Sequence, residues 1–166
     1  MKVLTPHRIF VLNLLSGIGL VAGGLYLAQT LNLAACPLCI LQRMLYLALA
    51  LAALVGLLLP RCRLSQILVA LGSVIIAGTG AFVAGYQVWL QRFAADASCT
   101  ANSPWWEGFV YWAGEKVPLL FNATGLCSEA GWKFLGLSIA DWSLLIFSGL
   151  TVLALIALRQ TLARHR

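Results

Sequence analysis

Residues 36–59 read CPLCILQRMLYLALALAALVGLLL. Met44 to Leu59 carries no charge, and the run reaches spanning length only when it is counted from Cys39 and takes in Arg43. At about 1.5 Å of rise per residue, roughly 20 residues cross a ~30 Å hydrocarbon core. Three further stretches have the same character: Ile9 to Gln29, Ile67 to Gln91 and Trp142 to Leu158. The chain is 61% hydrophobic and 10% charged over 166 residues. Soluble domains are about half apolar and about a quarter charged, so this composition describes an integral membrane protein. The expected fold is all-α: a bundle of four transmembrane helices forming a single integral membrane domain over residues 1–166. Its spans fall at roughly 9–29, 39–59, 67–91 and 142–158, with loops at 30–38 and 92–141. No internal repeat, low-complexity tract or second domain is visible.

A net charge of +6 invites a nucleic-acid reading, but the distribution of charge argues against it. Lys2, Arg8, Arg61, Arg63, Arg159, Arg164 and Arg166 lie in the tails or in the turn between the second and third spans. The long segment after the third span holds Arg92, Lys116 and Lys133 against Asp96, Glu107, Glu115, Glu129 and Asp141. By the positive-inside rule both termini and the Pro60–Gln66 turn are cytoplasmic, and loops 30–38 and 92–141 face outward. The basic residues are topology signals. Leu33-Ala34-Ala35-Cys36 resembles the small-residue pattern before a lipid-modified cysteine. The preceding apolar run is too long for a signal peptide, polar Gln29, Thr30 and Asn32 intervene, and three more spans follow.

Topology sorts the five cysteines. Cys36, Cys39, Cys99 and Cys127 lie on the outer side, where disulfides persist; Cys62 lies alone between two cytoplasmic arginines. Locality favours the pairs Cys36–Cys39 and Cys99–Cys127. The second pair suits a structural staple as well as a redox role. The first suits a staple poorly, because a two-residue loop removes little unfolded-state entropy and closes under strain; such disulfides tend to be labile and catalytic. A four-sulfur zinc site normally uses two closely spaced ligand pairs, and Cys99 and Cys127 are far apart, so no metal is expected.

The first pair is poised by its surroundings. Pro37 suits the first helical position, which puts Cys36 at the cap and Cys39 in the first turn. There the free backbone N–H groups favour a thiolate. Arg43, four residues on, falls on the same helix face. An arginine at a hydrocarbon boundary costs about 2.5–3.5 kcal/mol on insertion scales, which marks it as functional unless it simply snorkels to the outer interface. In the long outer segment, Ser103 and Pro104 read as a helix start, with Trp105, Phe109 and Trp112 recurring on one face and Trp106 and Val110 widening it. That is the pattern of a short helix lying in the headgroup plane. Residues 96–102, small and polar, leave Cys99 the better placed to meet a soluble partner and Cys127 the better anchored.

Taken in order, these features resemble the DsbB family of bacterial inner-membrane, quinone-linked thiol oxidoreductases. The resemblance rests on Cys36-Pro37-Leu38-Cys39 with Gln42-Arg43, on Val88-Trp89-Leu90-Gln91, and on the stretch from Cys127 through Trp132, Phe134, Leu135, Gly136 and Leu137 to Asp141-Trp142. It implies a multi-pass protein with redox loops in the periplasm. It implies that Cys99 and Cys127 form the disulfide attacked by a periplasmic DsbA-type thiol oxidase. It implies that Cys36 and Cys39 then pass electrons to a membrane quinone, ubiquinone or menaquinone, with Arg43 beside it. Many members of the family carry a histidine where this chain has Gln87, which can hydrogen-bond a quinone carbonyl but cannot carry a proton as imidazolium. The competing reading is a non-catalytic assembly protein that presents a stapled outer loop to another membrane protein.

Overall fold

The computed structural model describes residues 5–59, 63–93, 105–129 and 131–163. Cys62, Cys99 and the Ser103-Pro104 helix start lie outside the described residues. Helix α1 (Pro6–Thr30) starts at Thr5, whose hydroxyl accepts from the Arg8 N–H at 3.4 Å, with Pro6 in the first turn. Helices α2 (Pro37–Leu58), α3 (Arg63–Phe93) and α6 (Ile139–Ala163) complete four helices long and apolar enough to cross a membrane. Each core span appears where hydropathy places it, but the helices outrun the apolar windows. With 31 residues α3 is roughly 46 Å long, well beyond the hydrocarbon thickness. Its last turn therefore carries Gln91 and Arg92 past the apolar zone.

In space α1 packs on α2, α2 on α3, α3 on α6, and α6 back on α1, so the four spans close into a bundle. Association inside a membrane relies on close packing rather than on expelling water, and small side chains permit it. The buried face here is rich in them: Ala50, Ala53, Ala70, Ala77, Ala84, Ala154 and Ala157. Gly80 lies so close to the Phe147 ring that a Cβ there would come within 2.3 Å of it. The freed space lets Phe147 stack on Tyr46 with centroids 4.0 Å apart, while the Tyr46 hydroxyl meets Ser143 Oγ at 3.0 Å. Large apolar side chains such as Leu15, Ile18, Leu51, Leu68, Ile75, Phe82 and Val152 point outward, as lipid-facing residues do.

Between α3 and α6 lie α4 (Trp105–Lys116), the single turn α5 (Pro118–Phe121) and an antiparallel hairpin of β1 (Lys133–Phe134) and β2 (Leu137–Ser138). Helix α4 divides its apolar residues between two faces. Val110 and Ala113 are buried and Trp106 packs on the bundle, whereas Trp105 (87% exposed), Phe109 and Trp112 face away from it. Leu135 and Gly136, the two hairpin turn residues, both have positive φ (53° and 79°), as a two-residue β-hairpin loop requires. Ser138 then caps α6: its Oγ accepts from the Asp141 N–H at 3.2 Å, and Asp141 accepts from the Ser138 N–H at 3.0 Å. Arg92 joins Asp141 at 2.7 Å, so the hairpin is fastened to the end of α3.

Candidate functional site

The start of α2 builds the centre of the site. Cys36 is its N-cap, in extended conformation (φ −84°, ψ 161°), and its sulfur accepts from the Cys39 N–H at 3.3 Å. Pro37 in the first turn fixes the backbone there. The Cys36 and Cys39 sulfurs lie 2.9 Å apart, and Cys36, Cys39 and Cys127 are free thiols in this structure. From α3, Gln87 (2% exposed) aims its side-chain amide at both: Nε2 donates to Cys39 Sγ at 3.1 Å and to Cys36 Sγ at 3.3 Å. Its Oε1 accepts from Gln42 Nε2 at 2.8 Å. Leu38, Val83, Leu41, Leu45, Leu90 and Trp106 pack around the sulfurs.

A second chain segment brings the third thiol. The Thr124 and Gly125 N–H groups both donate to the Ala35 carbonyl, at 2.9 and 3.0 Å, docking the segment after α5 onto the residues just before α2. At Gly125 the approach is so close that a Cβ would lie 2.5 Å from the Ala34 carbonyl oxygen. Gln91 Nε2 reaches the Glu129 carbonyl at 3.4 Å and holds the segment's far end to α3. Between these ties Cys127 packs into the cluster of Cys36 and Leu38, where the Cys36 thiol and the Leu38 backbone N–H act on its sulfur.

That contact divides the two sulfurs electrostatically. Donation from Cys36 holds the Cys127 thiol below its ordinary range, against the opposing effect of burial. Cys36 is pushed far up, first by its hydrogen bonds to Cys127 and Cys39 and then by burial. The thiolate at Cys127 therefore persists to lower pH than in an ordinary cysteine and is lost only as pH falls further. We expect the pH–rate profile for alkylation of Cys127 in reduced protein to move to higher pH in Cys36→Ala; an unmoved profile would deny the contact.

Arg43 is half-buried on α2, and its Nη1 donates to the Leu120 carbonyl in α5 at 3.2 Å. It also interacts electrostatically with Cys39 and Cys36. The guanidinium therefore links the dithiol to the segment that carries Cys127.

Of the residues singled out from sequence, Cys36, Cys39, Cys127, Arg43 and Gln87 gather in one place, and Cys99 lies outside the described residues. Gln42 was not singled out as a site residue. Its signal was an uncharged amide in an apolar span, three positions after Cys39. Ala35 and Gly125 carried no readable signal, because their role arises from a contact between distant segments.

The sequence profile of disulfide bond formation protein DsbB matches residues 6–157. A disulfide bond formation protein B of Dechloromonas aromatica (strain RCB) is 43% identical over 144 residues, 84% of this chain and 84% of that protein. One from Polaromonas sp. (strain JS666 / ATCC BAA-500) is 34% identical over 164 residues, covering 97% of this chain and 95% of the relative. One from Nitrosomonas europaea (strain ATCC 19718 / CIP 103999 / KCTC 2705 / NBRC 14298) is 37% identical over 152 residues, 88% and 89% of the two chains.

Proposed function

The chain belongs to the disulfide bond formation protein B family, and on that premise we propose that it reoxidises a periplasmic DsbA-type thiol oxidase and delivers the electrons to a membrane quinone. The observation that carries this reading is the placement of Cys127 beside Cys36 by residues 118–129, the same segment whose Leu120 carbonyl accepts from Arg43.

In this scheme the partner's thiolate attacks Cys99 of a Cys99–Cys127 disulfide and expels Cys127 as a thiolate. The partner's second thiol resolves the mixed disulfide and releases Cys99 as a thiol. Cys127 attacks Cys36, a Cys36–Cys127 bond forms, the Cys36–Cys39 bond breaks, and Cys39 leaves with the electron pair. Attack at Cys36 is the step the contact favours. It also makes Cys39 the leaving group, and Cys39 has the Gln87 N–H donor at 3.1 Å and a place in the first turn of α2. A better-stabilised leaving thiolate departs faster.

A quinone fits the donor set present. Reduction places negative charge on a ring oxygen, and Arg43 offers a guanidinium at the membrane boundary with one N–H donor engaged by Leu120 among the described residues. Arg43 would hold the quinone, beside a Gln87 whose amide is engaged by the sulfurs and Gln42, and when bound the quinone supplies the two-electron sink that a strongly oxidising partner at about −120 mV requires. The exposed Trp105, Phe109 and Trp112 face of α4 suits the headgroup region, which would keep the segment before Cys127 at the membrane surface. The same reading makes residues 1–166 one integral inner-membrane domain, with cytoplasmic termini and periplasmic redox loops.

The test uses membranes containing the protein and a reduced DsbA-type dithiol. Oxidation of the dithiol is expected only when quinone is present. Oxidation that continues after quinone depletion contradicts the proposal, and loop cysteines that stay oxidised regardless of quinone favour the assembly reading.

A further inference from the structure

We propose that Gln42 is a positioning residue, which acts on the Cys39 sulfur through Gln87 by fixing the direction of the Gln87 amide. The inference rests on the redox role proposed for the dithiol. A glutamine side chain presents a donor at one end and an acceptor at the other, and rotation by a half-turn about its last bond exchanges them. Beside a sulfur the choice matters, because an N–H stabilises a thiolate and a carbonyl oxygen opposes it. Gln42 Nε2 donates to Gln87 Oε1 at 2.8 Å, which turns that oxygen away from the sulfurs. Gln87 Nε2 then lies 3.1 Å from Cys39 Sγ and 3.3 Å from Cys36 Sγ. Both side chains are buried, Gln42 at 4% exposure and Gln87 at 2%, so bulk water is no substitute for either bond. The helical spacing supports the arrangement. Gln42 lies three residues after Cys39 on α2, so both face α3, where Gln87 bridges them.

The arrangement gives the dithiol a thiolate-stabilising donor that does not titrate. The side-chain hydrogen bond of Gln42 goes to Gln87 and not to a sulfur, so its effect on Cys39 runs through Gln87. Two substitutions separate orientation from packing. Gln42→Met keeps the length of the side chain and removes the donor, leaving the Gln87 amide free to rotate. Gln42→Glu, when ionised, replaces the donor by an acceptor that repels Gln87 Oε1 and attracts Gln87 Nε2, which favours the amide turned over with its oxygen toward the sulfurs.

The experiment is alkylation of fully reduced, detergent-solubilised protein without quinone or partner, followed by peptide mass spectrometry across pH. Cys127 in the same molecules reports whether the fold is intact. We expect Gln42→Met to slow Cys39 alkylation near neutral pH on the order of ten-fold, with Gln42→Glu slower still, and the deficit to close as pH rises. In a Gln87→Met background, Gln42→Met should then add nothing further. An unchanged Cys39 profile in Gln42→Met, or an equal slowing in the Gln87→Met background, overturns the proposal. If Gln42→Met loses Cys127 protection as well, the comparison passes to Gln42→Glu, where a Cys39 profile like that of the unaltered protein overturns it equally. Because no quinone is present, this result is independent of whether electrons reach a quinone in turnover.

Discussion

Replacing Cys39 with alanine is expected to stop the proposed quinone-linked turnover, with a loss on the order of a thousand-fold or more, because in that scheme no other group leaves with the electron pair. The structure explains why Cys36 is no substitute. Its thiol lies between Cys39 and Cys127, whose contacts hold its proton, while Cys39 has the Gln87 N–H and the first turn of α2. Cys99→Ala is expected to fail differently. It cannot engage the partner, but its Cys36–Cys39 pair, reduced instead by dithiothreitol, should still support quinone reduction. Measuring quinone absorbance with the protein partner and with dithiothreitol separates the two defects. Dithiothreitol-driven quinone reduction at full rate in Cys39→Ala would contradict the assigned order of electron flow.

Gly125→Ala should slow transfer between the loop and the dithiol on the order of a hundred-fold, the usual scale for displacing a reacting group by about 1 Å. The added Cβ would meet the Ala34 carbonyl oxygen at 2.5 Å, a backbone atom that cannot swing aside. Relieving that clash lifts the Thr124 and Gly125 amides from the Ala35 carbonyl and draws Cys127 away from Cys36. Gly108→Ala is the control, since a Cβ there meets nothing within 4 Å. Acid quenching and alkylation after mixing with reduced partner gives the rate of appearance of Cys39 thiol. An unimpaired rate in Gly125→Ala would mean that the segment finds Cys36 without this docking.

The spans were legible because hydropathy over some twenty residues is a strong signal, and Arg43 stood out as a charge inside one of them. Their ends were not legible. Helix α1 begins at Pro6 rather than Ile9, and α6 at Ile139 rather than Trp142, because Thr5 and Ser138 cap ahead of the apolar runs. The dithiol could be read down to its cap, since Cys-Pro-x-Cys fixes the first turn locally. The hairpin at 133–138 was missed: Leu135 takes a positive φ usually left to glycine, asparagine or aspartate, so only Gly136 marked the turn. The α4 stripe was legible, but its division into a bundle face through Trp106, Val110 and Ala113 and an outward face through Trp105, Phe109 and Trp112 depends on where α2 lies. The link from Gln42 through Gln87 to the sulfurs joins residues 45 apart in the chain, which no local pattern encodes.

The most direct measurement maps the disulfide of purified Cys39→Ala by alkylation and peptide mass spectrometry. In this variant Cys39 is gone and Cys127 is tied in a disulfide, so the two contacts that hold the Cys36 proton are lost. Cys36, as a thiolate beside Cys127, should displace Cys99 from a Cys99–Cys127 bond, leaving a Cys36–Cys127 disulfide and an alkylated Cys99. A Cys99–Cys127 disulfide with Cys36 fully alkylated would show that the two sulfurs do not meet, and the proposed route for the electrons would be wrong.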